Sequence, residues 1–142
     1  MRSILQVEDE ENDVFFFKLA AEKAGLLNPL QVARDGREAI DYLAGADKYA
    51  DRHQFPLPVI ILLDLKLPQV PGLEVLKFIR SQPQLAKVVV IVLSSSDQDS
   101  DVEAAYRLGA NSYIVKPANP AELDHAVSLI KTYWLRLCRL PG

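Results

Sequence analysis

The sequence predicts a doubly wound α/β fold with a parallel sheet at its centre and helices on both faces. Three observations carry this. Short apolar runs alternate with longer amphipathic stretches along the chain. The runs Val59–Leu63 and Val88–Leu93 are apolar throughout, which marks strands buried on both faces. The 142 residues hold five strand–helix units, too few for an eight-fold barrel.

The elements follow in order. Ser3–Val7 reads as a strand and Asn12–Ala24 as a helix. Leu30–Ala33 is a short strand and Gly36–Ala44 a helix. The third strand, Val59–Leu63, leads to a helix over Gly72–Ser81. The fourth, Val88–Leu93, leads to a helix over Asp97–Leu108, stopped by Gly109. Ser112–Val115 is the fifth strand. The last helix runs from Pro120, well placed in a first turn, to about Leu140. Ala44–Pro58 is the longest connection. Its Asp47, Lys48, Asp51, Arg52, His53 and Gln54 predict a solvated loop. Gln6 is the one polar residue inside the first apolar strand, and nothing in the sequence explains it.

Composition narrows the function classes. Lys plus Arg is 16 and Asp plus Glu is 19, a net charge of -3. That balance gives little attraction to nucleic acid or anionic membrane. No apolar run approaches the length that spans a bilayer, and the N-terminus meets carboxylates too early for a secretory signal. The lone Cys138 excludes an internal disulfide and a cysteine-based zinc knuckle. A cytoplasmic domain is expected.

In an open α/β sheet, ligands bind beyond the carboxyl ends of the strands. After the first strand come Glu8, Asp9, Glu10 and Glu11, with Asp13 close behind. After the third comes Asp64, after the fourth Ser94, Ser95 and Ser96, and after the fifth Lys116 and Pro117. Carboxylates crowded at a buried strand end repel one another. A hard divalent cation relieves this, and Mg2+ takes one or two protein carboxylates and keeps waters, a number that Asp9 and Asp64 match. A hydroxyl and a lysine beside the metal make an anion site suited to phosphoryl transfer. A carboxylate can itself be the nucleophile. Singly, these residues have plainer readings. Glu10, Glu11 and Asp13 favour the positive end of the first helix, where Asn12 or Asp13 can cap. Ser94 alone reads as a turn residue and Lys116 alone as a solvated lysine. Asp64 resists such a reading, because a buried strand rarely ends on an unpartnered carboxylate.

These residues resemble the receiver domain of bacterial two-component response regulators. Val7-Glu8-Asp9 is similar to the family's acidic pair. Asp64-Leu65-Lys66-Leu67-Pro68 followed by Gly72 is similar to its phosphoacceptor loop. Ser94, Tyr113 and Lys116-Pro117 fall at its hydroxyl, aromatic and lysine positions. The resemblance covers Ile4 to about Leu135. It implies a flavodoxin-like (βα)5 sheet in the order 2-1-3-4-5, one receiver domain over residues 1–142. It implies that Asp64 accepts a phosphoryl group from a sensor histidine kinase. Asp9, Asp64 and the Lys66 backbone carbonyl would bind Mg2+, with Glu8 acting through water. Ser94 and Lys116 would hold the phosphoryl oxygens, Tyr113 would turn inward as a switch, and the Lys116–Pro117 bond would be cis. The aspartyl phosphate would hydrolyse slowly, its lifetime tuned by Lys66 and Ser96.

Pro71 departs from the family, standing where an acidic residue is usual. The long second connection, the extended last helix and Tyr133-Trp134 resemble the single-domain regulators that partner bacterial phytochromes. With no effector domain expected after Gly142, the output expected is protein contact, dimerisation or onward phosphotransfer, without direct DNA binding.

The last helix carries two apolar stripes. Leu123, Ala126, Val127, Ile130 and Trp134 suffice for docking on the sheet. Leu129, Tyr133, Leu137 and Leu140 lie roughly a quarter turn away, at about 100° per residue. The second stripe predicts a homodimer through residues 121–142; the alternative is that the long loop or the tail covers it. At least one of Phe15, Phe16 and Phe17 should be exposed and available to a kinase. His53 and His125 are expected to face solvent.

The same residues disfavour three rival functions. A haloacid-dehalogenase-type enzyme needs a second acid two residues past its aspartate, and Lys66 stands there. A flavodoxin-like electron carrier needs a phosphate cradle where Glu8–Glu11 would repel phosphate. A phosphorylation-independent dimerisation module is opposed by intact Asp9, Asp64, Ser94 and Lys116.

Overall fold

Five strand–helix units follow one another in the computed structural model, which describes residues 1–141. Gly142, the end of the expected C-terminal segment, lies outside the described residues. The strands are β1 (Ser3–Val7), β2 (Leu30–Ala33), β3 (Pro58–Leu63), β4 (Val89–Ser94) and β5 (Ser112–Val115). The helices are α1 (Glu11–Ala24), α2 (Gly36–Ala44), α3 (Gly72–Ser81), α4 (Asp99–Arg107) and α5 (Pro120–Ile130). The strands pair in parallel in the order β2-β1-β3-β4-β5, as expected. The register sets Val7 beside Ala33 and Leu63, and Leu63 beside Val92. The residues that follow β1, β3 and β4 therefore emerge along one edge.

Alternate residues of the central strands serve two cores. Leu5, Val7, Ile61, Leu63, Val90 and Val92 pack with Tyr42 of α2, with Val75, Leu76 and Ile79 of α3, and with Ala105 of α4. Ile4, Ile60, Leu62, Val89, Ile91 and Leu93 pack with Phe17, Ala20 and Ala21 of α1 and Val127 and Ile130 of α5. Burial of each large aliphatic side chain contributes roughly 1.5–3 kcal/mol. Two helix starts are fixed by side chains: Asp35 accepts from the Glu38 amide at 2.7 Å, and Asn119 from the Glu122 amide at 2.9 Å. Gly109 follows α4 with φ 107°, a backbone that side-chain-bearing residues rarely adopt. Arg80 then ties this connection to α3, donating to the Gly109 carbonyl at 2.8 Å and the Val88 carbonyl at 2.8 Å.

The connection after α2 differs from the solvated loop that its charges predict. Asp47–Tyr49 forms a 3-10 turn, Tyr49 is buried, and Phe55 meets both Tyr42 and Tyr49 edge to face, the two tyrosines being tilted against each other. Arg52 donates to the carbonyls of Tyr42 and Leu43 in the last turn of α2, where the Tyr42 carbonyl also accepts from the Gly45 amide at 3.1 Å. Burial of two aromatic rings outweighs the polar tendency of their neighbours.

The last helix also differs. Past Ile130 it widens into a π-helical segment, Lys131–Leu137, and stops at Cys138, whose backbone is extended. Leu140 is therefore off the helix and packs, partly buried, on the α1–α5 side of the sheet. Leu140 precedes Pro141, whose ring disfavours helical geometry in the residue before it. Leu129, Tyr133 and Leu137 remain exposed. Phe15 and Phe16 are exposed and Phe17 is buried; His53 and His125 face solvent. Among the described residues no helix is long and apolar enough to cross a membrane.

Candidate phosphoacceptor site

The sheet's own hydrogen bonding continues past the strand ends and positions the site. The Glu8 amide donates to the Ala33 carbonyl at 2.9 Å, and the Asp64 amide to the Val7 carbonyl at 3.1 Å. The Lys116 amide donates to the Ser94 carbonyl at 2.8 Å. Glu8, Asp64 and Lys116 are thus held as ladder residues rather than as loop residues. Gly72 closes the loop beyond Asp64. A Cβ there would sit 2.3 Å from the Asp64 carbonyl oxygen, so only glycine permits this approach. Between them Gln69 adopts a left-handed backbone, φ 70°, at a conformational cost of about 1–2 kcal/mol. Pro71 occupies the position before α3, where its fixed φ suits a helix entry.

The centre of the site is the Lys116 ammonium. Its Nζ lies 2.8 Å from Glu8 Oε1, 2.8 Å from Asp13 Oδ2 and 2.9 Å from Asp64 Oδ2. It donates hydrogen bonds to Asp13 and Asp64, and Glu8 completes the set as an ion pair. Glu8 and Asp64 are almost fully buried. Glu8 Oε2 accepts from the Glu10 amide at 3.2 Å, and Asp64 Oδ1 from the Lys66 amide at 3.2 Å. Asp9 is half-buried, and carboxylate oxygens of Glu8, Asp9 and Asp64 all lie within 4.8 Å of one another. Three carboxylates thus contact one ammonium, and Asp9 adds a fourth beside Glu8 and Asp64.

The titration behaviour reflects this crowding. Burial pushes Glu8 up from 4.5 to about 7, with the nearby Asp64 charge adding to the rise and Lys116 opposing it. Burial alone would pull Lys116 down. Its hydrogen bonds to Asp13, Glu8 and Asp64 outweigh that and hold it above its ordinary value. Three close carboxylates, two of them nearly dry, form an all-oxygen donor set with surplus negative charge. That set fits a hard divalent cation.

Ser94 is fully buried at the end of β4, and its Oγ accepts from the Ser96 amide at 3.3 Å. The Ser96 hydroxyl donates to Asp101 in the first turn of α4. Tyr113 is half-buried, and its hydroxyl donates to the Ser96 carbonyl at 2.8 Å. The Tyr113 amide donates to the Tyr106 hydroxyl at 3.1 Å. The structure therefore brings Glu8, Asp9, Asp64 and Lys116 together, with Ser94 and Tyr113 joined through Ser96.

Two expectations change. Asp13 belongs to the site, not merely to the end of a helix dipole. It stands in the first turn of α1, which begins at the sheet edge, and that placement was the available signal. Glu10 is the cap residue of α1 without a side-chain bond, and Glu11 pairs with Arg34 in solvent. The Lys116–Pro117 bond, expected cis, is trans, since no cis peptide occurs among the described residues. Trans is the lower-energy isomer of an X–Pro bond by about 0.5–1 kcal/mol, and with it Lys116 reaches all three carboxylates.

Comparison with known proteins agrees with this geometry. Residues 4–128 match the response regulator receiver domain family. The chain is 38% identical over 139 residues to the probable methanogenesis regulatory protein FilR2 of Methanothrix harundinacea, covering 98% of this chain and 87% of that one. It is 36% identical to the response regulator Rcp1 of Synechocystis, covering 98% and 92%. The phosphorylated cyanobacterial phytochrome response regulator RcpA superposes with a TM-score of 0.92 at 37% identity, covering 99% of each chain. The Mn2+-bound form of Rcp1 superposes with a TM-score of 0.89 at 34% identity over the whole of both chains. The chain belongs to the response regulator receiver family. Its members take a phosphoryl group on aspartate and hold a divalent cation in an acidic pocket.

Proposed function

We propose that this chain is a phosphorylation-controlled signalling protein in which Asp64 receives a phosphoryl group from the phosphohistidine of a sensor kinase. One observation carries the reading: Lys116 Nζ lies 2.9 Å from Asp64 Oδ2, at the buried end of β3. An Asp64 oxygen attacks phosphorus, the histidine N–P bond breaks, and the imidazole keeps the electron pair and takes up a proton. Lys116 is already on the accepting carboxylate and pairs with the transferred oxygens. Ser94 Oγ supplies a further hydrogen bond from β4. Asp9, Asp64 and the Lys66 backbone carbonyl would hold Mg2+, with Glu8 acting through a water. When bound, Mg2+ neutralises charge on the phosphoryl oxygens.

The output in this reading is a change of protein contact. Ser94 moves toward the phosphoryl group, Tyr113 follows inward, and the surface of α4, β5 and α5 is reshaped. That surface includes an apolar hollow of about 390 Å3 lined by Ile114, Ala126, Leu129, Ile130, Tyr133 and Trp134. Leu129, Tyr133 and Leu137 form the proposed homodimer contact; Leu140 drops out of it, and the interface segment is otherwise residues 121–142 of a single receiver domain. The exposed Phe15 and Phe16 on α1 offer a kinase an apolar contact beside Asp13. The relatives Rcp1 and RcpA support a phytochrome-type kinase as partner. A cytoplasmic protein without direct nucleic-acid contact fits the net charge of -3.

Label transfer from an autophosphorylated phytochrome-type histidine kinase tests this. Label should move to wild-type chain and not to Asp64→Asn. Transfer to both variants contradicts the assignment of Asp64. Transfer from an unrelated kinase at an equal rate contradicts the phytochrome pairing. Sedimentation tests the dimer. Wild type should be dimeric at micromolar concentration and Tyr133→Glu monomeric; a monomeric wild type, phosphorylated or not, contradicts it.

A further inference from the structure

We propose that Asp13 is a specificity-determining positioning residue: it restrains the Lys116 ammonium until a cationic side chain of the phosphodonor protein pairs with it instead. The inference rests on the phosphoacceptor reading above and extends it to the choice of donor. The three carboxylate partners of Lys116 are not equivalent. The side chains of Glu8 and Asp64 are 3% and 6% exposed, whereas that of Asp13 is 41% exposed. Glu8 and Asp64 follow strands and are held by the hydrogen bonding of the sheet. Asp13 stands in the first turn of α1. Its Oδ2 accepts a hydrogen bond from Lys116 Nζ at 2.8 Å, and no other cation pairs with it among the described residues.

The same carboxylate faces outward. Asp13 lines a surface hollow of about 280 Å3 with Phe16, Pro117, Pro120 and Leu123. Phe15 and Phe16 are exposed on the same helix, and the exposed Glu10 adds negative charge at its start. A helix N-terminus alone accounts for acidic residues there. It does not account for one of them reaching a lysine 103 residues away in sequence. A protein that seats apolar side chains in this hollow brings its own charges to the open side of Asp13. A cation is favoured at that point, because carboxylates outnumber ammonium groups beside it.

Charge decides what the contact does. A phosphoryl group on Asp64 brings anionic oxygens that compete with Asp13 for one ammonium. Asp13 keeps a negative charge that opposes them. A small phosphodonor meets this opposition in full. A docked protein that places a cation on Asp13 removes it and releases Lys116 to the phosphoryl oxygens. Asp13 therefore slows unaided phosphorylation and favours a protein donor, whose binding energy at the docking surface is used at the reacting centre.

The test compares two donors that break the same kind of bond. Phosphoramidate has a P–N bond and no docking surface. The phosphohistidine of an autophosphorylated phytochrome-type kinase has both. In each transfer an Asp64 oxygen attacks phosphorus, and the nitrogen leaves with the electron pair and takes up a proton. At saturating Mg2+, Asp13→Asn should accept from phosphoramidate about fivefold faster than wild type, and from the kinase about fivefold more slowly. Asp13→Glu, which keeps the charge, should restore the preference for the kinase. Added salt should slow transfer from the kinase more steeply in wild type than in Asp13→Asn. A purely structural Asp13 would move both donors together. Asp13→Asn rates that change in the same direction or not at all overturn the proposal, as does an equal salt dependence or an Asp13→Glu that behaves like Asp13→Asn. If the kinase does not transfer to wild type, the phosphoramidate rates decide: a gain in Asp13→Asn supports the restraint, and no gain overturns it. A wild type that accepts from neither donor contradicts the phosphoacceptor reading, and the proposal falls with it.

Discussion

Two kinds of ion pair occur in this molecule, and they differ in what they do. Lys23–Asp124, Arg37–Asp41 and Arg107–Glu103 join residues on the surfaces of helices. In the first, the side chains are 66% and 32% exposed. At the edge of the sheet, Lys116 pairs with Glu8 and Asp64, whose side chains are 3% and 6% exposed. Solvent screens the surface pairs, so breaking one changes little. The cluster is nearly dry at Glu8 and Asp64 and holds more carboxylates than one ammonium can neutralise. Such a cluster does not maximise stability. It keeps charge in readiness for a cation and a phosphoryl group.

Lys116→Met leaves Glu8 and Asp64 buried without their ammonium. It should cost about 3–5 kcal/mol in chelator, read from urea denaturation. A cost below about 1 kcal/mol, typical of exposed pairs, would make the cluster no different from the surface. Mg2+ acts in the opposite direction. At about a hundred times its dissociation constant it should stabilise the wild type by about 2.7 kcal/mol. Calorimetric scanning checks this, and an unmoved melting temperature contradicts cation binding.

The pH dependence divides the same way. In the cation-free protein Glu8 is raised from 4.5 to about 7. Between those values the folded chain keeps a proton that the unfolded chain has lost. Its contribution to stability is full below pH 4.5 and is lost as pH rises through about 7. Cation binding needs the carboxylate, so it should weaken by up to about tenfold from pH 7 to pH 6. Titration calorimetry at the two pH values checks the sign. The smallest effect is on the surface: Lys23→Ala should change stability by less than about 0.5 kcal/mol.

The sequence made some of this legible and hid the rest for physical reasons. β3 and β4 announce themselves because strands buried on both faces need unbroken apolar runs. Asp64 stands out because a charge directly after such a run requires a partner. Asp13 did not stand out, since its role depends on where the ammonium of a lysine 103 residues away arrives. Tyr49 and Phe55 were masked by charged neighbours, and their burial depends on Tyr42 from another element. A constant 100° per residue, which the apolar periodicity of the last helix implies, fails where the backbone widens after Ile130. Leu140-Pro141 carries the stop signal there, because a proline disfavours helical geometry in the residue before it.

In the proposed function, the buried carboxylate edge is a cation-dependent phosphoacceptor with Asp64 as its nucleophile. Intact mass after incubation with Mg2+ and a small-molecule phosphodonor tests it most directly. Wild type should gain one phosphoryl group, and neither Asp64→Asn nor wild type in chelator should. No gain in folded wild type, or an equal gain in Asp64→Asn, would contradict the account.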